Sequence, residues 1–461
     1  MLRFPPGTGG DAMATFFRCG RLFTGLDDEA TRDQTMIVRD GIIASIGPTA
    51  AAPKPASGDT VVDHGRHFVM PGLIDGHTHL GSGNAMTEED MDIYAPLEFR
   101  ALRTMINAQR LFGAGYTGAI DGGCAGRVAL AVRNAINSGM FEGPRLICSG
   151  GFLTTRLGAP DLYPNWFKNP YSLRELVTTM DGAIESIRAQ VKDGVDFIKL
   201  GFDGRQRNFK GGLAACFSES EAKRLIDECH RLGKWVKVHA KGTEGMIYAA
   251  RAGAQVICHA ADITDEVVDE VLKAGAILCP ELTIIYTFTC FTQPTDSYFD
   301  FIAYGKGEWD RTIASMRKAH AAGIPILAGS DSGYACCPAG EWHALEIKLL
   351  VDHAGLTPGQ GLRAGTSLMS PLFGEGCKTG TFAPGFFADA VAFEGDPLAN
   401  IDVILDKSRV RGVYRGGERV TTKAPPINPR TETEFSYRMW QRIYDQKTVA
   451  KLAAEDRIGV R

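Results

Sequence analysis

Apolar positions near the start of the chain come in short strand-like runs. Between Thr15 and about Val69 these are Phe16-Phe17-Arg18-Cys19, Thr35 to Arg39 and Ile42 to Ile46, a spacing that predicts β-strands. Asp40-Gly41, between the last two, predicts a hairpin turn. A second block of this kind comes late: Ala388 to Phe393, Val410 to Tyr414, then Arg419-Val420 after Gly416-Gly417. Between the blocks, short apolar runs alternate with amphipathic stretches. The first is Phe68 to Met70 with Leu73 and Ile74; the others are 116–121, 145–149, 197–200, 236–239, 256–259, 276–280 and 325–329. Helical patterns such as 219–232 and 311–322 follow them. Eight strand–helix units is the count of a closed parallel barrel. The reading is an α/β fold: a (β/α)8 TIM barrel over 70–375, with a small β-sandwich built from 14–69 and 376–425. Residues 1–13, rich in Gly and Pro, are expected to be disordered. Residues 426–461 form a C-terminal arm. Its helical pattern over 432–454 carries Phe435, Tyr437, Trp440 and Tyr444, suited to packing on its own subunit or a neighbour.

Composition narrows the class. With 461 residues, 44% hydrophobic and 23% charged, the chain can bury a large core. Its 50 basic and 54 acidic residues nearly cancel, which points away from nucleic acid and anionic membranes. No apolar run approaches a membrane span, and the N-terminus lacks a signal-peptide pattern. The 11 cysteines show no C-x-x-C spacing and lie mostly in apolar runs, so they read as buried thiols of a reducing cytoplasm.

The chemistry gathers at the predicted strand ends. His77 and His79 close the first strand of the barrel. Side chains at i and i+2 of a strand share a face about 7 Å apart at Cα, so both imidazoles can reach one ion. His239 closes Val236-Lys237-Val238, His259 closes Val256-Ile257-Cys258, and Asp331 follows Ile326 to Ser330. Lys199 lies inside Phe197-Ile198-Lys199-Leu200, where a buried ammonium is costly unless paired or chemically altered. Carbon dioxide can convert such a lysine to a carbamate able to bridge two metals. Each residue has a plainer reading: a satisfied core histidine, a turn or cap aspartate, a lysine that reaches the mouth as a cation. Six candidate ligands in strand order on one barrel face favour the metal site.

As an ordered set, these pieces resemble the amidohydrolase superfamily. The matching segments are Met70-Pro71-Gly72-Leu73-Ile74-Asp75-Gly76-His77-Thr78-His79, Gly115-Tyr116-Thr117 with Asp121, Gly143-Pro144-Arg145 and Gly194 to Lys199. Val238-His239-Ala240, His259, Gly329-Ser330-Asp331, Gly355-Leu356-Thr357-Pro358 and Pro384 to Asp389 complete it. The resemblance spans about residues 15 to 425. It implies that His77 and His79 hold one divalent ion and that His239 and His259 hold another. It further implies that carbamylated Lys199 bridges them, and that Asp331 ligates the first ion and acts as base. Catalytic roles would fall to Asp331, Lys199 and His259. Nitrogen and oxygen ligands suit zinc or cobalt, with manganese or iron as alternatives. Within the superfamily the text is similar to the branch of Xaa-Pro dipeptidase-like enzymes, ochratoxin amidases, and phenylurea and molinate hydrolases. Two segments depart from it. Gly150 to Gly158 has no histidine where dipeptidase-like members usually carry a substrate-holding one, and Gly201-Phe202-Asp203-Gly204-Arg205 replaces a small Ser/Gly loop.

Substrate clues lie in the loops. Phe152, Phe202, Tyr286, Phe288 and Trp342 suggest apolar walls, against the plainer reading of packing beneath loops. Arg156 and Arg205 suit a carboxylate, although solvated loop arginines are the commoner outcome. The expected activity is hydrolysis of a C–N bond in a small, rather apolar amide, urea, carbamate or thiocarbamate. A dipeptidase-like or N-acyl amino acid hydrolase with an arginine carboxylate anchor is the alternative. A single-metal deaminase and a catalytically silent assembly protein fit the full ligand set less well. The expected partners are a small-molecule substrate and further copies of the chain in a homo-oligomer.

Overall fold

The computed structural model describes residues 13–85, 91–159, 161, 163–292, 299–427, 443–455 and 457–458. Residues 1–12 of the predicted disordered segment lie outside these, as do Phe435, Tyr437 and Trp440 of the arm. Four strands open the chain: β1 (Thr15–Phe23), β2 (Ala30–Arg39), β3 (Ile42–Pro48) and β4 (Thr60–Pro71). Then come β5 (Leu73–Thr78), β6 (Tyr116–Asp121), β7 (Arg145–Cys148), β8 (Phe152–Thr154), β9 (Arg174–Leu176) and β10 (Phe197–Gly201). A short hairpin, β11 (Asp203–Arg207) with β12 (Leu213–Ala215), precedes β13 (Trp235–Ala240), β14 (Val256–His259) and β15 (Ile277–Cys279). The chain returns through β16 (Ala390–Phe393), β17 (Val410–Arg415) and β18 (Glu418–Arg419).

The two ends of the chain meet in one sheet, ordered β18-β17-β16-β4-β1-β2-β3. Asp40 and Gly41, at φ 50° and 77°, make the predicted two-residue turn, since a primed hairpin turn needs positive φ at both positions. The expectation of a sandwich differs from what is seen: among the described residues these strands form a single seven-stranded sheet. Its own apolar face holds Phe17, Leu22, Met36, Val38, Ile43, Val69 and Tyr414.

The parallel strands pair in order, β5-β6-β7 and then β10-β13-β14-β15. Backbone bonds carry the circuit across its two gaps. Asp196 N–H donates to Cys148 O at 2.9 Å, and Leu200 of β10 pairs with Leu153 of β8. The predicted eighth strand is reduced to one bridge, Leu278 with Ile326. It is nonetheless bonded on both sides, by Leu327 N to Leu278 O at 2.8 Å and Gly76 N to Ala328 O at 2.9 Å. Strands β5, β6, β10 and β14 are buried along their whole length, as expected for parallel strands covered on both faces. Helices lie between them, among them α1 (Leu97–Gly113), α2 (Val128–Asn137), α3 (Met180–Asp193), α4 (Glu219–Arg231), α5 (Thr243–Ala252) and α6 (Asp265–Ala274). Next come α7 (Leu282–Cys290), α8 (Phe299–Ala321), α9 (His343–Ala354) and α10 (Pro358–Ala364), and α11 (Gln446–Ala454) lies in the arm. Thr179, Ser218, Thr264 and Thr357 cap the N-termini of α3, α4, α6 and α10 with side-chain oxygens, satisfying N–H groups that have no partner inside the helix.

All 11 cysteines are free thiols. No described helix is long and apolar enough to cross a membrane.

One charged joint fastens the seven-stranded sheet to the parallel strands. Arg145 of β7 donates from Nε to Asp389 Oδ2 at 2.6 Å and from Nη2 to Oδ1 at 3.1 Å. Its guanidinium also lies 3.6 Å from the Phe387 ring centroid. Asp389 further accepts from Thr379 Oγ1 at 2.8 Å and Gly416 N at 2.8 Å. Replacing Asp389 with Ala leaves a largely buried guanidinium without its partner, which costs on the order of 3 kcal/mol. Denaturant unfolding of Asp389→Ala should show that loss. A change below about 0.5 kcal/mol would mean the sheet is held by packing alone.

Candidate metal centre and its cavity

His77 and His79 stand on one face at the end of β5, with Nε2 atoms 3.3 Å apart. Asp331 Oδ1 lies 3.3 Å from His79 Nε2 and 3.8 Å from His77 Nε2. These three ligand atoms lie within 4.8 Å of one another. His239 and His259, at the ends of β13 and β14, have ring centroids 4.2 Å apart, and His259 lies 6.1 Å from His77 by the same measure. Lys199, fully buried, lines the same cavity as these five residues. Its Nζ donates to Cys258 Sγ at 3.3 Å and sits 5.3 Å from the Phe152 ring centroid.

The backbone is bent to bring these groups together. His259, Ala260, Glu281 and Asp331 all have left-handed φ, at 67°, 46°, 52° and 54°. Such conformations cost roughly 1–3 kcal/mol each in non-glycine residues and persist where the surroundings over-determine them. At Gly333, φ is 134° and an added Cβ would meet His79 O at 2.1 Å, so only glycine lets this turn pass behind the ligand.

Behind the imidazoles lie fixed acceptors. His77 Nδ1 is 2.6 Å from Glu281 Oε1, His79 Nδ1 3.2 Å from Gly123 O, His259 Nδ1 3.3 Å from Glu281 Oε2, and His239 Nε2 3.5 Å from Asp203 Oδ1. At His77 and His79 these contacts are hydrogen bonds and leave Nε2 as the ligand atom, the usual arrangement of metal-binding histidines, whereas the His259 and His239 nitrogens approach their carboxylates without a hydrogen bond. Burial pushes His77, His239 and His259 well below the ordinary imidazole range, with nearby cationic groups adding to it. They are therefore neutral, the form a metal requires. At His79 burial also acts downward, but the adjacent Asp331 carboxylate outweighs it and the net shift is upward. Burial raises Asp203 to about 7 and Glu281 to about 7.

The donor set fits a divalent ion. Asp331 Oδ1, His239 Nε2 and His259 Nδ1 are buried and accept or donate no hydrogen bond, an arrangement that is costly in a protein interior unless something else satisfies it. Neutral imidazoles with a carboxylate suit zinc and its first-row neighbours. A second cluster, His77 with Cys258 and Glu281, also lies within 4.8 Å. It is less suited to a cation, because the Lys199 ammonium is already bonded to Cys258.

The cavity encloses about 610 Å³. Phe152, Arg156 and Arg205 line it, and so does Phe288. Phe202, Tyr286 and Trp342 do not, which corrects the expectation for these three. Phe202 is buried against Phe217, with ring centroids 5.7 Å apart. Tyr286 lies in α7, where Ile284, Ile285 and Phe288 face the cavity. Residue 286 falls on the opposite side of that helix and packs on Phe291 and Trp309. Trp342 donates from Nε1 to Tyr444 O at 2.7 Å, so it anchors the C-terminal segment. Glu281, Asp203 and Lys241 take part in the site or its wall and were missed by the sequence reading. Glu281 could have been found by the strand-end rule that found the histidines, since it directly follows the apolar run 276–280.

Residues 68–420 match the family model described as "Amidohydrolase family". Ochratoxinase of Aspergillus niger is 26% identical over 448 residues, covering 91% of this chain and 88% of that one. Among solved structures, a Xaa-Pro dipeptidase with bound methionine in its active site superposes with a TM-score of 0.78 at 23% identity, covering 89% of this chain and all of the other. Molinate hydrolase gives 0.71 at 20% identity, covering 89% and 95%. These likenesses imply a TIM-barrel-type α/β fold, consistent with the circuit of strands.

An ion that binds only the folded chain stabilises it, by ~2.7 kcal/mol at about 100 times its dissociation constant. Zinc added to chelator-treated protein should produce a gain of that order in thermal or denaturant unfolding. The gain should largely vanish in His79→Asn. An equal gain in both proteins would place the ion elsewhere.

Proposed function

This chain belongs to the amidohydrolase family, and we propose that it is a divalent-metal hydrolase that cleaves a C–N bond in a small, partly apolar amide, urea, carbamate or thiocarbamate. The observation that carries the reading is the convergence of His77, His79, His239, His259, Lys199 and Asp331 on one cavity. His77, His79 and Asp331 would hold one ion, His239 and His259 a second, and Lys199, whose ammonium would lose two protons on forming a carbamate with carbon dioxide, would bridge them. Bound there, divalent ions supply Lewis acidity to the scissile carbonyl and bring the pKa of water toward neutrality.

The chain's own groups supply the rest. Asp331, whose Oδ1 has no hydrogen-bond partner, takes a proton from the attacking water and passes it to the leaving nitrogen. Glu281 holds the His77 imidazole from behind and accepts the backbone N–H of His259. Phe152, Leu173, Ile284, Ile285, Phe288 and Tyr334 offer apolar surface that receives the substrate and excludes water. Arg156 and Arg205 line the same cavity, and this favours one second reading: a substrate with a free carboxylate, such as an N-acyl amino acid or dipeptide, gripped by a guanidinium. A homo-oligomer and a cytoplasmic location belong to the same proposal, the former to be read by light scattering.

Metal content per chain on freshly purified protein, with Lys199→Ala alongside, tests the centre. Two ions in the parent and fewer in the variant are expected. Amide, urea, carbamate and N-acyl amino acid panels should then show turnover that falls at least 100-fold in Asp331→Asn, in the range expected for loss of general acid–base catalysis. One tightly held ion in both proteins would move the reading to a mononuclear hydrolase.

A further inference from the structure

Glu281 occupies an unusual place. It follows β15, is fully buried, and holds a left-handed backbone at φ 52°. Its two carboxylate oxygens serve two different histidines. Oε1 is 2.6 Å from His77 Nδ1, whereas Oε2 accepts the backbone N–H of His259 at 2.6 Å and lies 3.3 Å from that residue's Nδ1. His77 belongs to the group with His79 and Asp331, and His259 stands against His239. One carboxylate therefore grips a member of each half of the donor set, and it steadies His259 where the backbone turns left-handed.

The residue is itself held from behind. Glu346 accepts the N–H groups of Leu282 at 3.0 Å and Thr283 at 2.6 Å, fixing the turn that presents Glu281. Lys237, whose Nζ donates to Gly76 O, and Lys199 are close enough to act on its charge. With both oxygens already engaged and ammonium groups nearby, Glu281 reads as a holder of ligands and not as a ligand.

We infer that Glu281 is a positioning residue that couples the two ion half-sites, so that setting His77 for one ion also sets His259 for the other. This rests on the two-ion reading above. Coupling of this kind is reciprocal: each ion raises affinity for the other by the same factor. Residues that orient metal ligands typically contribute 10–100-fold to affinity.

The test is titration of chelator-treated full-length protein with cobalt(II), read by visible absorption and by metal content after gel filtration. The parent should take up two ions in one steep step. Glu281→Gln, which keeps shape but can accept through only one oxygen, should split uptake into two steps, the weaker site losing about 10–100-fold. If Glu281→Gln does not fold, Glu281→Asp, which keeps the charge but shortens the reach by one methylene, is titrated instead with the same split expected. Two ions taken up by the variant in the parent's single step would overturn the coupling and leave the two-ion reading intact. A parent that binds one ion at saturation would overturn that reading and the coupling with it.

Discussion

A single buried carboxylate, Asp75, ties the first parallel strand to the last. Oδ1 accepts the backbone N–H of His77 at 2.9 Å and of Ser330 at 3.0 Å. Oδ2 accepts the Ser330 hydroxyl at 2.6 Å and lies 2.6 Å from His343 Nδ1. Gly340 N–H donates to His343 Nε2 at 2.8 Å, so that nitrogen is the acceptor and Nδ1 carries the proton given to Asp75. Four donors on one carboxylate, shielded from water, make a joint that no neutral residue of that size could reproduce. It reinforces the backbone bonds from Gly76 N to Ala328 O, Asp331 N to His77 O and His79 N to Ser332 O, and together they set the 3.3–3.8 Å spacing of the first donor group.

Inside that joint the polar groups answer one another. Lys237 and Lys199 enter the core from neighbouring strands, at paired positions of the β10–β13 register. Two ammonium groups there must be offset. Glu281 and Asp75 supply negative charge near Lys237, and Gly76 O takes its proton donor. The same cations help to hold His77 and His259 neutral. The electrostatic state that suits a metal ligand is thus also the one the buried lysines impose.

Much of this was legible in the chain because strand periodicity is strict. A histidine or aspartate at the C-terminal end of an apolar run has one place to go in a parallel α/β fold, and His77, His79, His239, His259, Lys199 and Asp331 all line one cavity. The hairpin at Asp40-Gly41 was legible for a similar reason, since its turn chemistry is local. What could not be read depended on orientation across long sequence distances. Tyr286 and Phe288 look equivalent in the text, yet the turn of α7 sends only Phe288 to the cavity. Trp342 reads as a wall in the sequence because nothing in its neighbourhood shows that Tyr444, about a hundred residues on, accepts from its indole. The expected second sheet of a sandwich failed for a related reason: alternation marks one buried face but does not say whether strands share one sheet or two.

Chemistry and selection are carried by different parts of this chain. The donors sit on strand ends locked by backbone pairing and by Asp75. The walls come largely from segments outside that circuit: Arg156 to Ala159 with Asp161 and Tyr163 to Asn165, Gly204 to Gln206, and α7. The first of these is pinned independently, by buried Arg174. Its guanidinium lies 4.6 Å from the Tyr163 ring centroid and 3.7 Å from Asp92, which in turn accepts from Ser172 Oγ at 2.8 Å. A change in one of these segments can therefore reshape the cavity without loosening a donor, unlike a change at Phe152 or Tyr334, whose rings lie against His239 and His79. Functional loops on a rigid scaffold separate these tasks in general. Here the separation also explains why the ligand set is read from strand periodicity, whereas substrate contacts, set by irregular loops and a helix phase, are not.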